Sequence, residues 1–320
     1  MSPCGSATPR SSAISRTRSS CGTDGVSAAS VVAGGQEASP IVRVVSDVNE
    51  ALLLPVSSDL VSSSRTVWVD DVPVVLYEVE RAEGAVFGTV VFLHGWGLGP
   101  RSYADPIGAL AAHGYRVVAL GLPGFGGSGH LPGQVSREEL VARVAAHVVA
   151  ALDAAAIDGP VLLVGHSFGA GVAVMAAEKR PELFSGVVML SPIGGDVGAL
   201  SWVRALWSLS GETRHSTLER ARDALPVFVQ RFGRVVSTGI AAKSTDLVDV
   251  VTEVSRLMPV TIVVAEDDRV TPVGPLRHVE SVRYRDVPGS HGWLLDDGAS
   301  AASEVRLHEL DAGKTGRGSR

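Results

Sequence analysis

The chain has 320 residues, of which 45% are hydrophobic and 19% are charged, and this balance is typical of a globular protein rather than a disordered or fibrous one. Its formal net charge of −6 offers no basic footprint for nucleic acid, and no apolar run reaches the roughly 18 residues of a membrane-spanning helix. The two cysteines, Cys4 and Cys21, both lie near the N-terminus, so we expect neither a disulfide framework nor a zinc site.

Residues 1–45 differ in composition from the rest of the chain. They are rich in Ser, Gly and Ala, and they contain no acidic residue before Asp24. They lack the apolar centre of a secretory signal, so we interpret them as a disordered extension of a cytoplasmic protein. Two alternatives are an organellar transit peptide, which the Ser/Arg-rich composition resembles, and a start codon placed too early.

From residue 60 onward, short β-branched runs alternate with longer Ala-rich stretches of helical spacing. Thr66–Val69 and Val74–Val79 predict a hairpin with its turn at Asp70-Asp71, and Ser136 with Glu139 predicts a capping box at the start of a long helix. The later strands are predicted at Val90–Leu93, Arg116–Leu120, Val161–Val164, Val187–Leu190, Val260–Ala265 and Val282–Val287, and the main helices at Arg101–His113, Ser136–Ala156 and Ala170–Lys179. Unbroken apolar strands alternating with helices predict an α/β fold, with a mostly parallel sheet covered on both faces.

One segment interrupts this alternation. Residues 193–257 have helical character and no clear strand, and they are too long for a simple crossover between two strands. We therefore expect an inserted helical cap over the carboxyl edge of the sheet. The predicted boundaries are 60–192 and 258–310 for the core, 193–257 for the cap and 311–320 for a disordered tail.

The motif Gly165-His-Ser-Phe-Gly169 carries the strongest functional signal. It follows an apolar strand and precedes an Ala-rich helix, which is the context of a nucleophile elbow. In such an elbow Ser167 is the nucleophile, and the glycines leave room for a strained turn. The backbone N–H of Phe168 then points at the site from the positive end of a helix. A tight turn without a catalytic role is the alternative interpretation.

A second glycine-rich motif, His94-Gly-Trp-Gly97, directly follows the strand predicted at Val90–Leu93. Acyl transfer builds negative charge on an oxygen atom, and preorganised N–H donors stabilise that charge. We expect the N–H of Trp96 to act with that of Phe168 as an oxyanion hole. His94 is expected to hold the loop rather than to take part in the reaction.

In the order and spacing of these motifs, the chain resembles the α/β-hydrolase superfamily between about Val67 and Leu310. The shared motifs are His-Gly-x-Gly at 94–97, Leu-Pro-Gly-Phe-Gly-Gly-Ser at 122–128 and Gly-His-Ser-Phe-Gly at 165–169. The resemblance implies the α/β-hydrolase fold with an eight-stranded sheet, a triad in the chain order Ser, acid, His, and no metal or organic cofactor. Relatives often carry Asp at the position of Gly121, so this loop departs from the family pattern.

The resemblance places the acid after a late strand. Three carboxylates follow Val260–Ala265, and the family pattern of Asp and Pro matches Asp268-Arg-Val-Thr-Pro272. This register favours Asp268 as the acid. Asp267 is the second candidate, and Asp196 is a third because some relatives place their acid after an earlier strand.

The resemblance places the base in the loop after the last strand. His291 lies there between small residues, in Pro288-Gly-Ser-His-Gly292, so the loop can approach Ser167. We expect neutral His291 to take the proton of Ser167 while Asp268 holds the imidazole in the required tautomer.

Together the motifs predict a serine hydrolase that cleaves a carboxylic ester, or a related acyl bond, of a small and fairly apolar substrate through an acyl-enzyme. Trp202, Trp207 and Trp293 are candidates for lining the substrate cleft. In the superfamily the same triad also serves carbon–carbon bond hydrolysis, perhydrolysis, and amide or lactone cleavage, so these alternatives stay open. A protein of a different class, which binds a ligand on this fold without turning it over, is the third hypothesis. The sequence does not indicate the oligomeric state.

Overall fold

A computed structural model describes residues 53–133, 135–136, 139–194, 246–271 and 273–316. The extension predicted at 1–45, most of the predicted cap and the end of the predicted tail lie outside the described residues.

Eight strands form a single sheet. They are β1 (Leu60–Val69), β2 (Val72–Arg81), β3 (Gly88–Leu93), β4 (Tyr115–Leu120), β5 (Val161–His166), β6 (Phe184–Leu190), β7 (Val260–Ala265) and β8 (Arg283–Val287). Their order in the sheet is β1-β2-β4-β3-β5-β6-β7-β8. The pairs β1–β2 and β2–β4 are antiparallel, and the other five pairs are parallel. The predicted mostly parallel sheet of eight strands is confirmed.

Helices cover both faces of this sheet. The α-helices are α1 (Ala104–Ala112), α2 (Leu140–Ala154), α3 (Phe168–Lys179), α4 (Val248–Leu257), α5 (Trp293–Asp296) and α6 (Gly298–Gly316). The helix predicted from Arg101 begins instead as a 3₁₀ turn, Pro100–Tyr103, because proline favours the first position of a helical turn.

α2 begins later than the capping box predicts. The backbone N–H of Glu139 donates to Ser136 Oγ at 3.3 Å, which is one of the two bonds of such a box, but regular helix starts at Leu140. Leu140 and Val141 are the first apolar residues of this segment, and both are buried. Because packing of an apolar face supplies most helical stability in a protein, the helix begins where that face begins.

Two apolar layers lie on opposite faces of the sheet. Successive side chains of a strand point to opposite faces, and in β3 the side chains of Val91 and Leu93 join one layer while those of Val90 and Phe92 join the other. α2, α3 and α4 pack into the first layer, and α1, α5 and α6 into the second. Burial on both faces explains why the strands read as unbroken apolar runs.

The ends of two predicted segments lie inside helices. α4 occupies the end of the segment predicted as a cap, and its residues Val251 and Val254 pack in the same layer as α3. α6 continues to Gly316, so the segment predicted as a tail begins within this helix, where Arg285 Nη2 pairs with Asp311 Oδ2 at 2.6 Å. Across the described ranges, every helix is too short or too polar to cross a bilayer.

The parallel strands β3 to β8 all end at one edge of the sheet, which we call the carboxyl edge. The loops that follow β3, β5, β7 and β8 carry Trp96, Ser167, Asp268 and His291 respectively. Parallel strands therefore gather these four residues from distant parts of the chain, as is typical of sites in open α/β sheets.

Candidate active site

The turn between β5 and α3 places Ser167 in a strained backbone conformation, with φ 54° and ψ −116°. The two glycines of the motif allow this turn. A Cβ atom at Gly165 would lie 2.4 Å from the carbonyl oxygen of Gly169, and one at Gly169 would lie 2.2 Å from the carbonyl oxygen of Leu93. No side chain fits at either position, so the turn requires both glycines.

Ser167, His291 and Asp268 form one row of hydrogen bonds. His291 Nε2 lies 3.0 Å from Ser167 Oγ, and His291 Nδ1 lies 2.9 Å from Asp268 Oδ2. A carboxylate can only accept, so Nδ1 carries a proton, and with one proton on the ring Nε2 accepts a hydrogen bond from the Ser167 hydroxyl. The structure thus brings together the three residues that the sequence singles out.

The carboxyl group of Asp268 is enclosed, with its side chain 1% exposed. Burial alone would raise the pKa of Asp268, but the hydrogen bond and charge of His291, and the N–H groups of Thr271 and Val270, lower it to about 2. Both N–H groups donate to Oδ1, at 2.9 Å from Val270 and 3.0 Å from Thr271. The group is therefore a carboxylate at neutral pH, as an orienting acid must be.

Asp267, the alternative acid, has no hydrogen bond to the His291 ring among the described contacts. It is exposed, and its backbone N–H donates to the carbonyl oxygen of Gly289 at 3.0 Å. That bond holds the loop after β7 against the loop after β8. The structure thus places Asp268, and not Asp267, at the imidazole of His291.

Thr271 also lies in the candidate site, although no motif in the sequence singles it out. Its Oγ1 lies 3.1 Å from Asp268 Oδ2, 3.2 Å from His291 Nδ1 and 3.1 Å from the carbonyl oxygen of Ser191. It therefore links the acid to the end of β6. A hydroxyl residue three positions after an Asp that accepts backbone N–H bonds is a common turn arrangement, and this was the available signal.

The two predicted oxyanion donors lie beside Ser167, one in the loop after β3 and the other at the start of α3. Phe168 is the first residue of α3, so its N–H belongs to the first turn, where N–H groups have no partner within the helix. Trp96 follows Gly95 in the loop after β3, and a Cβ atom at Gly95 would lie 3.6 Å from the Cβ of Ser167. The loop of Trp96 therefore packs directly against the nucleophile.

His94 holds two loops together. Its ring is fully buried; Nδ1 bonds the carbonyl oxygen of Gly95 at 2.8 Å, and Nε2 accepts the N–H of Leu122 at 2.9 Å. Burial lowers the pKa of His94 to about 4, so the ring is neutral at physiological pH. These contacts give it the loop-holding position that the sequence suggested.

The loop that begins at Gly121 closes too tightly for the Asp that relatives often carry there. A Cβ atom at Gly121 would lie 2.6 Å from the carbonyl oxygen of Gly126 and 2.7 Å from Ser128 Oγ. The Ser128 hydroxyl donates to the carbonyl oxygen of Gly121 at 2.7 Å and accepts the N–H of Val75 at 2.9 Å. The Ser128 hydroxyl therefore ties this loop to β2.

The described substrate-lining candidate, Trp293, is largely a core residue. It is 5% exposed and packs in the layer that contains α6. It also contributes to the wall of an open cavity of about 740 Å³ beside His291. Polar and charged residues form much of that wall, namely Asp267, Arg269, Ser290, Asp296 and Asp297. Trp202, Trp207 and Asp196 lie outside the described residues.

Titratable side chains in the described ranges do not form a metal site, since no three His, Cys, Asp or Glu side chains there are grouped to hold an ion.

Comparison with known proteins places the chain among hydrolases. A model described as the alpha/beta hydrolase family matches residues 90–304. A protein of Mycobacterium phage D29 named as a non-heme haloperoxidase is 26% identical over 271 residues, which are 74% of this chain and 94% of that protein. A 2-hydroxy-6-oxononadienedioate/2-hydroxy-6-oxononatrienedioate hydrolase of Escherichia coli K12 is 34% identical over 149 residues, so the match covers 44% of this chain and about half, 49%, of that enzyme.

Solved structures share the same fold at low sequence identity. A serine hydrolase involved in carbazole degradation superposes with a TM-score of 0.62 at 20% identity, covering 78% of this chain and 99% of that one. Est816, described as an N-acyl homoserine lactone degrading enzyme, superposes with a TM-score of 0.61 at 20% identity, covering 75% and 98%.

Proposed function

This chain belongs to the alpha/beta hydrolase family of enzymes, and on that premise we propose that it is a serine hydrolase with Ser167 as nucleophile, His291 as base and Asp268 as orienting acid. The observation that carries the proposal is the row of hydrogen bonds, 3.0 Å from Ser167 to His291 and 2.9 Å from His291 to Asp268. Both distances lie within the reach that proton transfer and tautomer control require.

The proposed reaction has two halves. His291 Nε2 takes the hydroxyl proton as Ser167 Oγ bonds to the carbonyl carbon of the substrate, and the carbonyl oxygen becomes an oxyanion. When this intermediate collapses, the bond to the leaving alkoxide breaks and His291 returns the proton to that alkoxide. Water then attacks the acyl group on Ser167, with His291 again accepting and returning the proton, and the carboxylic acid and free Ser167 result.

The oxyanion is proposed to bind between the N–H groups of Trp96 and Phe168. The position of Phe168 at the start of α3 supports this role, because the first-turn N–H groups and the helix dipole both favour negative charge. The close packing of the Trp96 loop against Ser167 supports the second donor. Losing one such donor typically costs a factor of about 10²–10³ in rate.

A carboxylic ester, or a related acyl bond in a small and fairly apolar molecule, is the substrate class that we propose. The described machinery consists of a nucleophile, a neutral base and N–H donors, and it needs only a carbonyl carbon and a leaving group that His291 can protonate. The half-buried Trp96, packed against the apolar layer beside Ser167, supports an apolar acyl group.

Carbon–carbon bond hydrolysis is the second candidate, and the E. coli relative favours it. A 2-hydroxy-6-oxo-dienedioate contains no ester or amide, so its hydrolysis must break a carbon–carbon bond next to the oxo group. Such a dianion calls for a cationic partner, and Arg269 lines the cavity beside His291. Faster turnover of an oxo-dienedioate than of a neutral ester, lost in Arg269→Gln, would favour this candidate.

The proposal is tested by labelling with a fluorophosphonate and mapping the modified peptide in the wild type and in Ser167→Ala. We expect one label per chain on Ser167, and a loss of about 10⁴–10⁶ in the kcat for a p-nitrophenyl ester in the mutant. A folded wild type that takes no label, or that binds the ester without turning it over, would refute the hydrolase and favour the ligand-binding alternative.

A further inference from the structure

Behind Ser167, a row of buried polar groups joins the loop that follows β3 to the loop that carries His291. The N–H of Gly95 lies 3.0 Å from Tyr103 Oη, Tyr103 Oη lies 2.8 Å from His166 Nδ1, and His166 Nε2 lies 2.9 Å from the carbonyl oxygen of His291. Tyr103 is 0% exposed and His166 is 3% exposed. His166 directly precedes the proposed nucleophile in the motif Gly165-His-Ser-Phe-Gly169.

Elementary donor and acceptor chemistry fixes the direction of every bond in this row. The carbonyl oxygen of His291 can only accept, so His166 Nε2 carries the proton and, in the neutral ring, Nδ1 accepts. The Tyr103 hydroxyl therefore donates to Nδ1, and its oxygen accepts the N–H of Gly95. With a neutral His166 ring, each bond of the row therefore has one direction, and the bonds polarise one another.

The groups of this row also pack closely against His291 and Gly95. The rings of His166 and His291 lie 4.8 Å apart between centroids, tilted by 41°. A Cβ atom at Gly95 would lie 2.7 Å from Tyr103 Oη and 3.1 Å from His166 Nδ1. Position 95 must therefore be glycine because the Tyr103–His166 pair occupies the space where its side chain would lie.

The charge state of His166 suits a position beside a base. Burial, and then the charge of His291, lower the pKa of His166 to about 3. His166 therefore stays neutral in the working range of the enzyme and does not oppose the positive charge that His291 acquires during the proposed reaction.

We propose that His166 and Tyr103 are positioning residues that hold the backbone of His291 and the loop of Trp96 in one fixed relation. This inference rests on the proposed function. The base and one oxyanion donor come from loops almost 200 positions apart in the sequence, yet both must meet the same reacting carbonyl. Catalytic groups must be held to within about 0.5 Å, and an error of about 1 Å can cost a factor of 10² in rate.

Three variants test the proposal by steady-state kinetics. His166→Leu removes both bonds of the ring, and we expect kcat to fall about 10–100-fold with KM changed less than about threefold, because alignment rather than substrate binding is lost. In His166→Gln the side-chain amide can still donate to the His291 carbonyl, so most of kcat should return. Tyr103→Phe should fall between the two, at about tenfold.

Tyr115→Phe is the matched control for Tyr103→Phe. Tyr115 is equally buried and its hydroxyl donates to a Glu309 carboxylate oxygen, but it begins β4 at the opposite edge of the sheet. We expect it to lose stability without losing kcat. Should His166→Leu fail to fold, Tyr103→Phe decides the question, and a wild-type kcat in that variant would overturn the proposal.

A second readout does not depend on turnover. The proton that His291 Nδ1 shares with Asp268 is expected as a far-downfield resonance, identified by its loss in Asp268→Asn. We expect it to broaden in His166→Leu and Tyr103→Phe, and to persist in His166→Gln and Tyr115→Phe. A sharp resonance and unchanged kcat in a folded His166→Leu would overturn the inference. If the wild type turned over no ester, the proposed function would fail, and the resonance alone would still decide whether His166 positions His291.

Discussion

Two buried histidines lie at opposite ends of the sheet, and only one of them contacts the candidate active site. His166 is 3% exposed and His308 is 1% exposed. Burial, and then the charge of His291, lower the pKa of His166 to about 3. Burial, and then the charges of nearby arginines, lower the pKa of His308 to about 4. Judged by burial and protonation alone, the two residues are equivalent.

They differ in what they connect. His308 Nδ1 lies 2.8 Å from Thr261 Oγ1 in β7. Its Nε2 packs against Gly186 in β6, where an added Cβ atom would lie only 2.6 Å away. His308 therefore holds α6 against the amino-terminal parts of β6 and β7. His166 instead connects two loops that both contribute to the site. A buried histidine with a lowered pKa is therefore informative about function only through the groups that it links.

The largest expected effect is on kcat, and it distinguishes the two carboxylates Asp267 and Asp268 in the loop after β7. Asp268→Asn should lower kcat about 10⁴-fold, because the amide cannot hold the Nδ1–H tautomer of His291, whereas the exposed Asp267→Asn should change kcat less than about twofold. Ester kinetics check this, with thermal unfolding as the control for folding. Equal losses in the two variants, or a larger loss in Asp267→Asn, would show that Asp268 is not the orienting acid.

A smaller effect, on stability, is expected from glycines at two places. Gly169→Ala should destabilise the fold by about 3 kcal/mol or more, because its Cβ atom would lie 2.2 Å from the rigid backbone oxygen of Leu93. Gly313→Ala, at an exposed position of α6 with open space around it, should stabilise the fold by about 0.5–1 kcal/mol. Urea unfolding measures both. A Gly169→Ala variant as stable as the wild type would mean that the elbow is not the tight turn described.

The sequence predicts the sheet well because its central strands are buried on both faces. Val260–Ala265 is predicted with the bounds that the structure gives it, since Pro259 precedes this β-branched run and the charged Glu266 follows it. The helix predicted from Ser136 begins only at Leu140, because local capping chemistry is weaker than the burial of an apolar face. The sequence pattern therefore locates a helix or strand, whereas the packing of its apolar residues determines where it begins and ends.

The motifs and their spacing in the sequence identify the candidate site residues, whereas the fold determines which of these residues lie close together. Ser167, Asp268 and His291 each come from a loop after a parallel strand, so strand order alone brings them to one edge. The turn spacing at Thr271 does not reveal its contacts with Asp268 and His291, and Tyr103 has no motif that indicates its contact with His166. A tyrosine in a helical stretch gives no sequence signal that its hydroxyl lies behind a nucleophile.

A further expected effect on stability is the acid sensitivity that the two buried histidines cause. An unfolded histidine has a pKa of about 6.5, and the folded values are lower, at about 3 for His166 and about 4 for His308. The folded state therefore binds fewer protons, so the stability from each neutral histidine is complete above about pH 6.5 and is lost as the pH falls toward the folded pKa. Between pH 7 and pH 5 this loss amounts to about 2 kcal/mol for each residue.

His166→Leu and His308→Leu should each remove one such contribution, so urea unfolding at pH 7 and pH 5 should show a similar, shallower pH dependence in both. His94 retains its own contribution in each variant, so some dependence persists. The kcat for an ester should fall only in His166→Leu, because only that residue contacts the loop of His291. An equal fall of kcat in His308→Leu would show that loss of any buried histidine, rather than loss of the link between two site loops, slows the enzyme.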